Sequence, residues 1–351
     1  MIQVGVIGCG RWGPNYVRNF TEIDGVKVVA VADKDEMAIR EFGKRFRDVA
    51  LLRDYKEMLG GTEIDGIVVA TPASTHYEIG MSCLQAGKHV LMEKPLASST
   101  QEALGLVRCP LREGQIFMVG HIFRYHAAVN KVREIVYEGT LGTVRYIHCV
   151  RTNLGPVRED VSVIWDLAAH DVSIALHLLN AMPLQASATM GRYLQESHGD
   201  VAFVTLVFPE GELVNIHVSW VDPQKRREVE VIGTNGLVRF DDMNLSEPVR
   251  IIQRSLREMP SYSTFGEFQL VTHSSAGIIP AVEGKEPLKE QCAEFIRSIQ
   301  QGRQPLSDAR DGYRICAILE AADKSAGVGG SPVGVEAEGL ADVGQSGDVP
   351  R

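Results

Sequence analysis

A chain of 351 residues, 44% hydrophobic and 23% charged, is long enough for two domains with sizeable cores and has the balance of an ordinary globular protein. Its formal net charge of −9 argues against a nucleic-acid or anionic-membrane partner, either of which selects a basic surface, while leaving local basic pockets for a small anion open. Six scattered cysteines (Cys9, Cys83, Cys109, Cys149, Cys292, Cys316) show no C-x-x-C and no zinc spacing, which points to reduced, buried thiols. No targeting succession opens the sequence and no apolar run reaches the roughly 18 residues of a membrane span, so a cytoplasmic protein is expected.

Ile2–Ile7 is a short apolar run, followed by Gly8-Cys9-Gly10-Arg11-Trp12-Gly13 and a helical pattern through Tyr16, Val17 and Phe20. Strand, glycine turn and helix in that order are what a dinucleotide site requires. Gly8 makes the tight turn, Gly10 lets backbone approach the pyrophosphate, and Gly13 lets the helix pack closely on the strand. The pyrophosphate then sits on the helix N-terminus beside Arg11 and Trp12, where free N–H groups and the dipole favour an anion. Such a motif alone is weak. Here a second strand, Lys27–Ala32, ends at Asp33, 20 residues past Gly13, where the ribose-binding acid should fall. Asp33 would accept hydrogen bonds from ribose hydroxyls and repel a 2′-phosphate, favouring NAD over NADP, a preference that Lys34 softens.

The alternation continues with helical stretches over Glu36–Phe46 and Tyr55–Leu59 and a strand, Gly66–Ala70, running into Thr71-Pro72-Ala73-Ser74-Thr75-His76. Strand carboxyl ends face the ligand in a doubly wound sheet, so Thr71, Pro72 and His76 are candidate cofactor neighbours; His76 reads equally well as a capping residue. After a helix through Met81–Ala86, the strand His89–Met92 leads to Glu93-Lys94-Pro95. A loop lysine is ordinarily a solvated cation. This one stands where the nicotinamide end of the cofactor should lie, flanked by Glu93 and stiffened by Pro95, and both readings stay open. A further helix and the strand Ile116–Val119 complete a parallel sheet near Gly120.

From there the pattern changes. His121-Ile122-Phe123-Arg124-Tyr125-His126 opens a helix expected to reach about Glu138, the strand Thr143–Arg151 follows, and Arg151-Thr152-Asn153-Leu154-Gly155 leads to Ile164-Trp165-Asp166-Leu167-Ala168-Ala169-His170-Asp171. Read as one helix to about Leu179, this stretch puts Asp166 and His170 one turn apart on one face, with Cβ atoms about 5–6 Å apart. A carboxylate beside an imidazole orients and tunes a general base, although the same pair taken alone is also an ordinary surface pair. Arg124, Tyr125, Arg151 and Asn153 look like anion and hydroxyl ligands, or singly like surface and loop groups. A metal bound by Asp166, His170, Asp171 and His177 fails on geometry, because Asp171 turns off the shared face.

Alternating strands follow at Val201–Phe208, Leu213–Trp220, Arg227–Ile232 and Gly236–Phe240. On the second of them Val214, Ile216 and Val218 alternate with Asn215, His217 and Ser219, one face for helices and the other for solvent or a subunit partner. Asp242–Pro280 resists assignment. Helices are expected over Glu286–Ile299 and Asp308–Ala326, and Gly327–Arg351 reads as a disordered tail. The fold class that follows is an α/β N-terminal Rossmann domain (1–120) plus an α+β C-terminal domain (121–326) with a large, mainly antiparallel sheet and an active site between them.

Gly8-Cys9-Gly10-Arg11-Trp12-Gly13-Pro14-Asn15, the Thr71-Pro72 to His76 loop, Glu93-Lys94-Pro95 and Trp165-Asp166-Leu167-Ala168-Ala169-His170-Asp171 together resemble the glucose-fructose oxidoreductase / inositol dehydrogenase / rhizopine catabolism (Gfo/Idh/MocA) superfamily over about residues 1–325. Within it, Arg151-Thr152-Asn153-Leu154-Gly155 before the Trp-Asp-Leu helix resembles the branch that oxidises the 3-hydroxyl of UDP-N-acetylglucosamine or its uronate. The resemblance implies an NAD-dependent sugar dehydrogenase with Lys94, His170 and Asp166 as catalytic residues. It also implies substrate contacts from Trp165, Arg124, Tyr125, Arg151 and Asn153 beside that triad, and cofactor contacts from Gly8 to Gly13, Asp33, Lys34, Thr71, Pro72, His76, Glu93 and Lys94. Such enzymes feed 3-amino sugars into lipid A or surface polysaccharide, handing product to an aminotransferase; a large exposed face of the C-terminal sheet makes a homodimer or homotetramer the expected assembly. Rival readings are a free-sugar or inositol dehydrogenase and a non-catalytic sugar sensor, which would be expected to lack the lysine or histidine.

Overall fold

The computed structural model describes residues 1–60, 63–253, 264 and 277–337. Its chain divides into two units, one built from Met1–Ile122 and Glu286–Glu320, the other from Phe123–Lys285 and Ala321–Val335.

In the first unit six parallel strands, β1 (Ile2–Ile7), β2 (Val26–Ala32), β3 (Ala50–Leu52), β4 (Gly66–Val69), β5 (His89–Met92) and β6 (Phe117–Val119), lie in the order β3-β2-β1-β4-β5-β6. This is the doubly wound dinucleotide order, with the winding reversing between β1 and β4. Its strands are covered on both faces, and Val4, Val6, Ile67, Val68, Val90 and Leu91 accordingly have no exposed surface. The helix Glu36–Arg45 starts where Asp35 caps it, one carboxylate oxygen accepting the N–H of Met37 at 2.8 Å and of Ala38 at 3.3 Å.

An uninterrupted second domain over 121–326 is not what the chain builds. The helix Pro287–Gln301 returns to the first unit, where Phe295 meets Phe20 with ring centroids 6.3 Å apart and lies over Gly66, whose absent Cβ would stand 3.0 Å from the ring. Burying an apolar stripe against a strand more than 200 residues upstream leaves no trace in linear order.

Among the described residues the second unit holds nine strands: β7 (Val144–Leu154), β8 (Gln185–Gly191), β9 (Val201–Val207), β10 (Leu213–Ser219), β11 (Val221–Gly233), β12 (Gly236–Asp241), β13 (Val249–Gln253), β14 (Gly277–Ile278) and β15 (Val333–Gly334). Their order is β14-β13-β12-β11-β7-β10-β9-β8-β15, antiparallel throughout except for the parallel pair β7 and β10. On β10 the expected alternation is present up to Ser219, which is buried where an open position was expected. Val214, Ile216 and Val218 are fully buried, whereas Asn215 and His217 are half-exposed and His217 stacks on the half-exposed Phe203 at 4.4 Å.

Two expectations change. The helix expected to open at His121 is a 3-10 turn over Ile122–Tyr125; His126 then leaves the helical region and its Nδ1 accepts the Ala128 N–H at 3.2 Å, so the α-helix begins at Ala127 and ends at Tyr137. The supposed disordered tail is structured as far as it is described: the last helix runs to Gly327, and Val333 and Gly334 pair with Ala186 and Gln185, the edge of β8. Residues 338–351, and most of 254–276, lie outside the described residues. Among the described residues no helix is long and apolar enough to cross a membrane.

Candidate active site

The turn after β1 meets the demands of a dinucleotide atom by atom. Gly8 has φ +108°, and a Cβ there would lie 2.5 Å from the Ala70 carbonyl oxygen; one on Gly13 would lie 2.0 Å from that of Gly8. A Cβ on Gly10 would meet nothing within 4 Å, which is the clearance a pyrophosphate needs. The helix Gly13–Thr21 begins with no side-chain cap and no acid in its first turn, so its N-terminus keeps its electropositive character. Arg11 is exposed and Trp12 half-buried beside it.

Asp33 follows β2 and is held from both sides. One carboxylate oxygen accepts the Cys9 N–H at 2.6 Å and the other the Asp35 N–H at 3.0 Å, leaving each oxygen further lone pairs for ribose hydroxyls. Lys34 points to solvent. Burial, then the charges of Asp33 and Asp35, push the Cys9 thiol up to about 12, so it stays protonated in the glycine turn.

Thr71, Pro72 and His76 stand at the carboxyl end of β4, and Glu93 and Lys94 at that of β5. His76 is not aimed outward. It is 1% exposed, with Nδ1 2.8 Å from the Pro95 carbonyl oxygen and Nε2 3.0 Å from that of Thr71. The ring therefore ties the two strand-end loops together through their backbone. Lys94 is buried, at 8% exposed, one residue past Glu93.

In the second unit Ile164–Ala168 forms a π-helical turn, and the α-helix begins only at Ala169 and ends at Leu179, closed by Asn180 in the left-handed region at φ 49°. Single π turns interrupt helices preferentially at functional sites. Because Asp166 lies in the π turn and His170 in the α-helix, four-residue spacing does not by itself set their relation. The Asp166 carboxylate is instead placed by Arg158, whose guanidinium donates to Oδ1 at 3.4 Å, and by Trp220, whose indole N–H donates to Oδ2 at 3.3 Å. Arg158 is in turn clamped to Asp160 at 2.6 and 2.8 Å. His170 is half-buried with its ring edge-on to Phe123, centroids 5.3 Å apart.

Several expected substrate groups prove to be committed to the protein. Arg151 donates to Asp171 from Nε (3.0 and 3.2 Å) and from its terminal nitrogen (2.8 Å), both side chains buried, with the guanidinium 4.4 Å from the centre of the Phe123 ring. Burial pushes the Asp171 carboxyl above its ordinary value against the pull of that guanidinium. Arg151 is thus the partner of Asp171, the acid of the motif for which spacing suggests no role. The Arg124 Nε donates to Ser173 Oγ at 3.3 Å, and both Arg124 and Tyr125 are buried. The Asn153 amide donates to the Gly155 carbonyl, and the Trp165 indole to Asp323. Among the described residues no group of three or more His, Cys, Asp or Glu side chains could hold a metal ion.

Tyr16, Arg158 as the partner of Asp166, Trp220 and Gln291 escaped the sequence reading. Only the phenol leaves a signal, since a tyrosine on the inner face of an amphipathic helix must find a partner for its hydroxyl.

A glycine turn with open space at Gly10 and an acid at the end of the second strand are the features of a dinucleotide-binding domain. Residues 2–121 match the oxidoreductase family with an NAD-binding Rossmann fold, GFO_IDH_MocA, and residues 129–239 match the GFO/IDH/MocA C-terminal domain. The chain belongs to the Gfo/Idh/MocA family and is an NAD-binding oxidoreductase of that family. It is 30% identical to inositol 2-dehydrogenase 2 of Saccharopolyspora erythraea over 224 residues, 62% of this chain and 66% of that protein. It is 25% identical to UDP-N-acetylglucosamine 3-dehydrogenase of Acidithiobacillus ferrooxidans over 329 residues, 90% of this chain and 94% of that protein. A solved structure of the latter superposes with a TM-score of 0.78 at 23% identity, covering 92% and 97% of the two chains. A levoglucosan dehydrogenase crystallised with NADH superposes with a TM-score of 0.82 at 18% identity, covering 95% and 99%.

Proposed function

We propose that this dehydrogenase oxidises the 3-hydroxyl of UDP-N-acetylglucosamine, or of its uronate, to the 3-keto sugar. The observation that carries the reading is the joint presence of Lys94 at the end of β5 and of His170 directly after a π turn whose Asp166 is anchored by Arg158 and Trp220. Similarity to the Acidithiobacillus 3-dehydrogenase along nearly its whole length supports the choice of substrate. A second reading, a free cyclitol or sugar dehydrogenase, is favoured by the higher identity to the Saccharopolyspora inositol enzyme.

In this reading His170 removes the hydroxyl proton, Lys94 holds and polarises the same oxygen, and Asp166 positions His170. The glycine turn, Asp33 and the ends of β4 and β5 would hold NAD, which when bound would supply a hydride acceptor for the hydrogen on the sugar carbon. Arg124, Tyr125, Asn153 and Trp165 shape the substrate side from their anchored positions, while Arg151 supports Phe123 and the helix of His170 through Asp171. The 3-keto product is a substrate for an aminotransferase, the open face of β8 to β10 pairs subunits, and six unpaired, buried thiols suit a reducing cytoplasm.

The test is NADH formation with UDP-N-acetylglucosamine, its uronate, glucose and myo-inositol, for the wild type and for Lys94→Ala and His170→Ala. Turnover of a UDP-sugar should fall about 10²–10⁴-fold in either variant while NADH binding is retained. Turnover of inositol alone moves the conclusion to the second reading, and near-wild-type rates in both variants remove the catalytic assignment.

A further inference from the structure

Behind Lys94 lies a buried relay that the proton and hydride transfers do not use. Tyr16 and Gln291 have no exposed surface and Glu93 is 7% exposed. Tyr16 Oη donates to Glu93 Oε1 at 2.6 Å, Gln291 Nε2 donates to Tyr16 Oη at 2.9 Å, and Glu93 Oε2 accepts the Lys94 N–H at 3.1 Å. With Glu93 as a carboxylate, which can only accept, the single phenol proton goes to Glu93 and the phenol oxygen takes the amide proton of Gln291. Three elements of one unit converge here: the helix after the glycine turn, the end of β5, and the helix Pro287–Gln301. A fourth closes the space, since a Cβ on Gly120 would lie 3.2 Å from Tyr16 Oη.

We propose that Tyr16, backed by Gln291, is a positioning residue that keeps Glu93 ionised and in one orientation, and through Glu93 fixes the backbone of Lys94. The proposal rests on Lys94 being the residue that polarises the substrate oxygen. A buried carboxylate needs donors, and hydrogen bonds to its charged form are the strong ones. The titratable groups facing this relay are Lys94, the Tyr16 phenol, raised by burial and then by Glu93, and the Cys292 thiol, raised by burial and then by Glu286 and Glu93 against the pull of Arg18.

Four variants test it: Tyr16→Phe, which keeps the ring contact with Phe20 at 6.4 Å, Gln291→Met, Glu93→Gln, and Tyr16→Phe with Glu93→Gln. The infrared carboxyl band absent from Glu93→Gln reports protonation of Glu93 without any substrate. Its midpoint should move up by about one pH unit in Tyr16→Phe and by less in Gln291→Met. With whichever sugar turns over, Tyr16→Phe should lower kcat about tenfold, leave KM and NADH affinity within about twofold, shift the acid limb of the pH profile upward, and cost nothing further in the Glu93→Gln background. An unmoved midpoint, or a full second loss in the double variant, overturns the inference while leaving Lys94 its role. Wild-type turnover in Lys94→Ala overturns that role instead. If Tyr16→Phe does not fold, the Gln291→Met shift decides.

Discussion

The dinucleotide turn and the stretch Ile164–Asp171 are built by opposite means. In the turn, backbone makes the site: a positive φ at Gly8, a helix-to-loop approach at Gly13 that admits no Cβ, and an uncapped helix end. In Ile164–Asp171, side chains from elsewhere make it. Asp166 and Asp171 are five residues apart and chemically identical, yet the first is half-buried between Arg158 and Trp220 and the second is fully buried against Arg151. Backbone geometry accepts very few residue types at a position, whereas an ion pair uses common residues whose meaning depends on what the fold brings beside them.

The sharpest way to break this contrast is to remove one partner of the buried pair. Arg151→Met leaves the Asp171 charge buried and uncompensated and should cost about 3–5 kcal/mol in urea unfolding, most of it recovered in Arg151→Met with Asp171→Leu. A single variant as stable as the wild type would sink the structural role of the pair. Next in size, Gly13→Ala should weaken NADH binding roughly 10–100-fold, because its Cβ would collide with the Gly8 carbonyl. Gly10→Ala sharpens the point. Its Cβ enters open space, so melting of the cofactor-free protein should be unchanged while NADH affinity falls; equal affinity would show that the dinucleotide lies elsewhere.

The smallest effect is a pH slope. Burial, then the charges of Arg124 and Arg133, push the His177 imidazole down to about 3, and its Nε2 lies 2.9 Å from Asn130 Oδ1. Below about 6.5 the unfolded chain takes up a proton that the folded ring refuses until about pH 3, so stability falls as pH falls through that window. Between pH 6 and 5 the contribution is about 1 kcal/mol. His177→Gln should flatten this part of the stability curve, and a slope unchanged from wild type would reassign it to other groups.

Much of the fold was legible because its signals are local. Strand, glycine turn, helix and an acid at the second strand fall within the first 33 residues, and period-two alternation on β10 shows which of its faces is covered. Less legible were β8, the short β13 to β15, and the return of Pro287–Gln301 to the first sheet, since each gains its stability from partners distant in sequence. Among site residues, the spacing of Asp166 and His170 suggested one continuous α-helix, whereas Asp166 lies in a π turn and His170 in the α-helix after it. His76 and Arg151, read as cofactor and substrate ligands, are tied to backbone carbonyls and to Asp171.

By itself, then, the sequence determined the cofactor half: where the pyrophosphate turn lies, which acid ends the second strand, and which lysine ends the fifth. Steric limits on glycine and the period of a strand act between neighbours, so residue order suffices to express them. Only the tertiary structure decided the assignments of charge and proton, namely that Asp171 belongs to Arg151, Asp166 to Arg158 and Trp220, and Glu93 to Tyr16 and Gln291. What a buried carboxylate does is set by the donor nearest to it in space, and for Glu93 that donor, Tyr16, stands 77 residues away along the chain.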